Sequence, residues 1–380
     1  MMAIRSRVRI CYTVDSLYAG GAERYVSLLA RGLDRTVFEP FVLGRACVGL
    51  DQWCAELEDA GVTVIRAPMN LPFRPTHSIK LLRYLYSLAP NLVHVNVPGP
   101  YDGQMGLLVP LARMAGASRV LVTEHLPRVE RLWKRALLKG FSYRWLDGAL
   151  TVCKANVEPL AGKQGVPNEK IRVVYNGLPV AYGTRRANVR ESARRRLGLD
   201  PSTVALVFVG SLIERKGIAT LFEALAGLDA AEWRLFVVGT SDGGDTGDRK
   251  PDSGIRDRVR FLGALSPSEV ESTLCAMDMM VVPSFMEGMP YVILEAMACS
   301  LAVVASRVDG IPEAACDETT ALLVPPGDPE ALRGALRRLT VNTELRDLLG
   351  RQGRERFEAL FTLDRHVAHM QRFYLEMLGG

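Results

Sequence analysis

Two glutamates eight positions apart, Glu287 and Glu295, stand in PSFMEGMPYVILEAMACSLAVVASRVDGIPE, the stretch from Pro283 to Glu313. The spacing places Glu287 in a loop and Glu295 on a helix that opens at Pro290, where proline suits the first turn. An apolar run, Leu301 to Ala305, then reads as a buried strand, and a Gly310-Ile311-Pro312-Glu313 turn follows it. Loop amides at a helix N-terminus, backed by the helix dipole, attract an anion. Carboxylates beside them accept hydrogen bonds from hydroxyls. Such residues suit a ligand that is phosphorylated and rich in hydroxyls. An ordinary strand–loop–helix with solvated glutamates has the same spacing.

The elements that must hold these residues alternate along the whole chain. Candidate strands of the first half are Val8–Val14, Phe38–Leu43, Val62–Arg66, Leu92–Asn96, Arg119–Thr123, Ala149–Cys153 and Ile171–Val174, with helical patterns at Glu23–Leu33, Trp53–Ala60 and Ile79–Leu88. Strands of the second half are Val204–Val209, Arg234–Val238, Val259–Leu262, Met279–Val282, Ala302–Ala305 and Ala321–Val324. Its helices are Leu212–Ala226, Pro267–Ala276, Pro290–Cys299 and Pro329–Leu339. Val- and Leu-rich strands alternating with helices predict parallel sheets covered on both faces. The polar, basic AYGTRRANVRESARRRL reads as a linker running into a surface helix. The expected organisation is an N-terminal domain at 1–180, a linker at 181–199, a second domain at 200–360 and a C-terminal helix at 361–380 that packs back on the first domain.

In such sheets ligands bind outside the carboxyl ends of the strands. The polar loops fall there: Tyr18–Arg24 (YAGGAER), Asn96–Pro100 (NVPGP), Thr123–His125 (TEH), Gly210–Gly217 (GSLIERKG) and Val238–Asp245 (VGTSDGGD).

Composition narrows the class. The chain has 380 residues, enough for two domains. A net charge of +5 with no aromatic-plus-basic recognition box argues against nucleic acid. Seven cysteines are scattered without a Cys-x-x-Cys pair, which suits buried free thiols in a reducing compartment. No apolar run reaches the ~18 residues of a membrane span. The N-terminal apolar run is too short for a signal peptide and reads as a first strand, so a cytoplasmic location is expected. Neither first strand is followed by a Gly-x-Gly-x-x-Gly, which sets aside a dinucleotide oxidoreductase.

GGAER, TEH, VCKANVEPL, VYNGLP, FVGSLIERKG, EGMPYVILEAMA, DGIPE and LLVPPGDPEAL occur in this order over nearly the whole chain. Together they resemble the retaining nucleotide-sugar glycosyltransferases of family 4 (glycosyl transferases group 1), whose mark is the Glu-x7-Glu pair. The resemblance implies a GT-B fold, two doubly wound Rossmann-like domains facing across a cleft. It also implies sugar transfer from a nucleotide-diphosphate sugar to a saccharide or lipid-linked acceptor, in cell-surface polysaccharide or glycolipid assembly. The nucleotide sugar is a co-substrate, with UDP the working choice of nucleotide, and no cofactor is implied. No Asp-x-Asp occurs, in line with a metal-independent reaction.

By the same resemblance Lys216 holds the diphosphate, helped by Arg215, the turn at Gly210 and Ser211, and the amide of Gly310. A surface lysine of this kind should be removable with little loss of stability. Glu295 accepts from the nucleotide ribose. Glu287 contacts a hydroxyl of the donor sugar, with the backbone of Gly288, Met289, Pro290 and Tyr291 beside it. His125 faces the sugar from the first domain. Gly20 and Gly21 admit the diphosphate or the acceptor close to the backbone, and Glu23, Arg24 and Asn96 lie on the acceptor side. The chain departs from the family pattern at Ser211, where arginine is usual, at Ser300 and Ala302, where glycine and proline are, and at Asp309, usually glycine. Arg128–Trp145, basic and aromatic, could lie on an anionic membrane surface or be a surface helix packed on the sheet. Two other readings share the architecture: a nucleotide-sugar 2-epimerase and a non-catalytic sugar-nucleotide-binding subunit.

Overall fold

The structure is a computed structural model; it describes residues 7–67, 69, 75–98, 108–127, 139–184, 186–229, 232–240 and 251–379. The chain divides into two compact units, one formed by residues 1–176 with 363–380 and the other by residues 177–362.

Among the described residues the first unit holds seven parallel strands: β1 (Val8–Val14), β2 (Phe38–Arg45), β3 (Thr63–Ala67), β4 (Leu92–Val97), β5 (Arg119–Glu124), β6 (Gly148–Thr151) and β7 (Ile171–Val173). Their order is β3-β2-β1-β4-β5-β6-β7. The direction of winding reverses between β1 and β4, the place where doubly wound sheets open a ligand crevice. One sheet face buries Cys11, Leu43, Val93, Val95, Val120 and Val122 in a core shared with Leu81, Leu85, Val109 and Ala112. The last four lie on α3 (Pro75–Leu88) and α4 (Leu108–Met114), which follow α1 (Gly21–Gly32) and α2 (Asp51–Asp59) in the chain. Each such Leu or Val contributes about 1.5–3 kcal/mol on burial.

The second unit repeats the plan with β8 (Val204–Val209), β9 (Trp233–Val238), β10 (Val259–Gly263), β11 (Met279–Val282), β12 (Ala302–Ser306) and β13 (Leu322–Val324), in the order β10-β9-β8-β11-β12-β13. Its winding reverses between β8 and β11. Its helices are α5 (Arg186–Leu197), α6 (Ile218–Ala226), α7 (Pro267–Ala276), α8 (Tyr291–Ala298), α9 (Ile311–Ala314), α10 (Pro329–Val341) and α11 (Thr343–Leu360). The final helix, α12 (Leu363–Leu378), belongs to the first unit. There Tyr25 of α1 donates to the Met370 thioether at 3.8 Å and Val367 packs on Gly32.

Two local readings change. The helix expected from Leu212 begins at Ile218, because Gly217 takes φ +70° and breaks the helical path. The basic stretch expected as a linker running into a surface helix does form a helix, α5, but it lies within the second unit and part of it is buried. Arg194 donates to the carbonyls of Ala276, Asp200 and Thr203 at 2.7–3.2 Å, and Arg190 and Arg194 both pair with Asp278. The arginines thereby satisfy carbonyls at the end of α7, where the helix dipole favours cations. None of the seven cysteines is in a disulfide, and five of them are buried. Among the described residues no helix is long and apolar enough to cross a membrane.

Candidate active site

In the second unit, the loops after β8 and β11 adjoin because their strands are neighbours. The loop after β8 ends in a short turn, Glu214–Lys216, that carries both cations of the GSLIERKG segment. Gly217 closes the turn with its left-handed φ, and a β-carbon there would sit 1.9 Å from the Pro283 carbonyl oxygen. Only glycine allows the two loops to approach this closely. The Phe285 N–H donates to the Arg215 carbonyl at 2.8 Å, and the Arg215 guanidinium donates to the Met286 carbonyl at 2.9 Å.

This zipper delivers Lys216 to Glu287. Lys216 Nζ lies 2.5 Å from Glu287 Oε1, and Arg215 Nη1 lies 3.7 Å from Oε2. The Ser284 hydroxyl donates to Oε1 at 2.8 Å. The Glu287 N–H donates to Asp309 Oδ2 at 2.9 Å. Lys216 is therefore not a free surface lysine but the counter-ion of a carboxylate whose residue is 5% exposed. Gly288, Met289, Pro290 and Tyr291 are buried and lead into α8, with Pro290 at its N-cap. Glu295, on the second turn of α8, is 1% exposed and accepts from the Tyr182 hydroxyl at 3.0 Å. Ser211 is exposed, and Gly310 is buried at the cap of α9.

The first unit gathers its own polar groups at the ends of adjacent strands. Asn96, one residue before the end of β4, lies beside Thr123 of β5 in register. Its side-chain amide donates to the His94 carbonyl at 3.2 Å, and its Oδ1 is buried with no hydrogen-bond partner among the described residues. His125 follows β5, and its Nε2 is likewise buried with no partner among the described residues. Its ring meets Tyr25 edge-on at 4.9 Å, and Tyr25 meets His366 of α12 at 5.1 Å. Burial, and then the neighbouring His366, lower the His125 pKa to about 3. His94 bridges the Tyr374 hydroxyl at 2.7 Å and the Thr123 hydroxyl at 2.6 Å, and burial takes it to about 3 as well.

Gly20 and Gly21 are exposed at the start of α1. Glu23 turns back as a capping residue: it accepts from the Gly20 N–H at 2.7 Å and from the Ser16 hydroxyl, while its own carbonyl accepts from Trp53 at 3.1 Å. Its carboxyl is buried, which raises its pKa. Arg24 beside it is part-exposed.

Of the basic, aromatic stretch, residues 128–138 lie outside the described residues, as do 99–100 and 241–245 of the two loops named above. Lys139 is buried against Glu124 at 2.5 Å, and Tyr143 also donates to Glu124. Phe141 and Trp145 remain about half exposed.

The structure thus brings Lys216, Arg215 and Glu287 together, with Asp309 and Gly310 adjoining. It places Asn96 near the end of β4 and His125 just after the neighbouring β5, and Gly20, Gly21, Glu23 and Arg24 at one helix start. The sequence reading missed Ser284, Tyr182 and His366, and took Lys139 as part of the basic segment without its buried partner Glu124. Ser284 carried a weak signal, three residues before Glu287; Tyr182 and His366 carried none. Among the described residues no group of three or more His, Cys, Asp or Glu side chains could hold a metal ion. Two cations beside a helix start form a cradle for a phosphate, and the carboxylates next to it can accept from hydroxyls.

Comparison with known proteins bears on both units. Residues 203–342 match the family described as glycosyl transferases group 1, and residues 20–177 match the glycosyl transferase 4-like domain. A D-inositol 3-phosphate glycosyltransferase from Saccharomonospora viridis is 29% identical over 369 residues, 89% of this chain and 85% of that protein. One from Segniliparus rotundus is 33% identical over 218 residues, 55% of this chain and 44% of that protein. The chain spans about half the length of several such relatives. HepE from Anabaena, solved in complex with UDP-glucose, superposes with a TM-score of 0.84 at 18% identity, covering 97% of this chain and 100% of that one. Sucrose-phosphate synthase from Thermosynechococcus elongatus gives 0.80 at 24% identity, covering 98% and 100%. These likenesses show the fold, GT-B with two Rossmann-like domains. With both halves matched by glycosyltransferase family models and relatives named as glycosyltransferases, the chain belongs to the group 1 glycosyltransferases.

Proposed function

We propose that the enzyme transfers a sugar from a nucleotide-diphosphate sugar to a saccharide or lipid-linked acceptor, with retention of configuration and without a metal ion. The observation that carries this reading is the convergence of Lys216 and Arg215 on the buried Glu287 at the switch point of the second sheet. When the bond from the anomeric carbon to the β-phosphate oxygen breaks, negative charge builds on the leaving phosphate. Preorganised cations and donors aimed there supply most of the acceleration. Lys216 and Arg215 take that role, with the Gly310 amide beside them. Glu287 accepts from a hydroxyl of the donor sugar and Glu295 from the ribose.

His125, held neutral by its lowered pKa, acts as a hydrogen-bonding partner of the sugar rather than as a cation. The acceptor hydroxyl loses its proton as it attacks. With retention the departing phosphate oxygen lies on the same face and is the base within reach. Gly20 and Gly21 admit the donor diphosphate or the acceptor close to the backbone, Glu23 holds their loop by accepting from the Gly20 N–H, and Arg24 and Asn96 serve the acceptor side. HepE binds UDP-glucose, which supports a nucleotide-sugar donor here. The exposed Phe141 and Trp145, with Arg144, suit contact with an anionic membrane at the cytoplasmic face, where lipid-linked acceptors of cell-surface glycans are built.

The test is a thermal-shift screen of nucleotide-sugars, followed by transfer to glycan acceptors and NMR of the product anomer. A nucleoside-diphosphate sugar should raise the melting temperature in proportion to occupancy. Absence of any shift across the panel, or inversion at the anomeric carbon, overturns the reading.

A further inference from the structure

Beside Glu287 runs a turn with an uncommon backbone. The Ile311 N–H donates to the Val308 carbonyl at 3.0 Å and closes it. Its first central residue, Asp309, has φ +42°, and its second, Gly310, has φ −83°. A left-handed φ is the territory of glycine, because a β-carbon crowds the backbone there. The residue that adopts it here is not the glycine but the aspartate in front of it. Aspartate visits this region more readily than most residues, yet such strain persists where the surroundings hold it and gather function around it.

The aspartate has a defined use. Its Oδ2 accepts from the Glu287 N–H at 2.9 Å, across 22 positions of sequence. The loop that carries Glu287 is tied on one side to the β8 loop, through Phe285 and Met286 to Arg215. Asp309 ties it from the β12 side. The charges also balance: Lys216 and Arg215 bring two cations, and Glu287 and Asp309 bring two anions.

We propose that Asp309 is a positioning residue for Glu287 and sets the charge of the site. Its carboxylate pins the Glu287 amide, which keeps the Glu287 side chain on Lys216. Its charge cancels one of the two cations, so an anionic ligand enters a site close to neutral. Nucleoside diphosphates then bind only as tightly as that balance permits, and release of the nucleotide product is eased. The charge proposal rests on the Lys216–Glu287 cluster being the donor-phosphate site; the pinning proposal does not.

Two variants separate the effects. Asp309→Asn keeps an acceptor oxygen and removes the charge. Asp309→Gly removes both and relieves the backbone. Amide hydrogen exchange of residues 284–291, melting temperature and UDP affinity by calorimetry are measured on the full chain. In Asp309→Gly the Glu287 amide should exchange about tenfold faster or more, the scale of one hydrogen bond to a charged acceptor, with no fall in melting temperature. In Asp309→Asn exchange should stay near that of the parent, and UDP should bind several-fold tighter. Unchanged exchange in Asp309→Gly overturns the pinning role. Unchanged or weaker UDP binding in Asp309→Asn overturns the charge role. A parent that binds no UDP, GDP or ADP overturns the donor-phosphate reading instead, while the exchange measurement still decides the pinning.

Discussion

Replacing Lys216 with methionine keeps the stem of the side chain and removes its charge, and the structure sets the size of the consequence. Glu287 is left with its side chain 7% exposed and its 2.5 Å partner gone. Stripping one partner from a fully buried ion pair costs about 3–5 kcal/mol, whereas an exposed pair contributes about 0.2–1 kcal/mol. Lys216 is 18% exposed, Arg215 stays 3.7 Å away and the Ser284 hydroxyl still donates at 2.8 Å. The expected loss is therefore intermediate, about 1–2 kcal/mol, which lowers the melting temperature of a unit this size by roughly 2–8 °C. This exceeds the near-zero cost expected of a free surface lysine. Adding Glu287→Gln removes the orphaned charge, so the double variant should recover half or more of the lost stability. Transfer should not recover: without the cation at the leaving phosphate, both variants should lose on the order of a hundredfold in kcat. Urea unfolding of the parent, the two single variants and the double variant closes the cycle, and a product assay reads the turnover. If Lys216→Met stays within about 0.5 kcal/mol of the parent and Glu287→Gln gives no relief, the ion pair does not hold these loops and the reasoning fails.

The other expectations concern acid, a second buried pair and metal. His94 and His125 are lowered to about 3 and His366 to about 4, from an ordinary 6.5. The unfolded chain thus binds more protons between these values, and stability is complete above pH 6.5 and lost as pH falls toward 4. On the order of 4 kcal/mol should go between pH 6.5 and 5; a flat profile in denaturant titrations over that range would contradict the burial of the three rings. Lys139→Met leaves the fully buried Glu124 with Tyr143 as its donor, so calorimetry should show a loss of about 3 kcal/mol, and a loss below about 1 kcal/mol would mean that the pair is solvated. Transfer should survive EDTA, and activity abolished by chelation and restored by magnesium or manganese would end the metal-free proposal.

Much of the architecture was legible because it is written locally. Apolar runs of strand length alternating with helical patterns encode parallel sheets, and glycine and proline mark the turns between them. Hence the strands of both sheets were foreseen to within a few residues, and the Glu287–Glu295 spacing put one carboxylate in a loop and the other on a helix, as observed. Periodicity says which face of an element is buried, but not which distant side chain lies against it. Lys216 meets Glu287 across 71 positions, and Tyr182 meets Glu295 across 113. Those partnerships exist because β8 and β11 are neighbours at the point where the winding reverses, which delivers their two loops to one place. For the same reason the arginines of α5 looked solvated in the sequence, yet Arg194 is buried. Its partners are carbonyls and an aspartate that only the folded unit places around it. Asp309 shows the division most clearly: the sequence shows a charge beside the Gly310 turn, but only the tertiary structure aims its carboxylate at the Glu287 amide, because β12 ends next to β11.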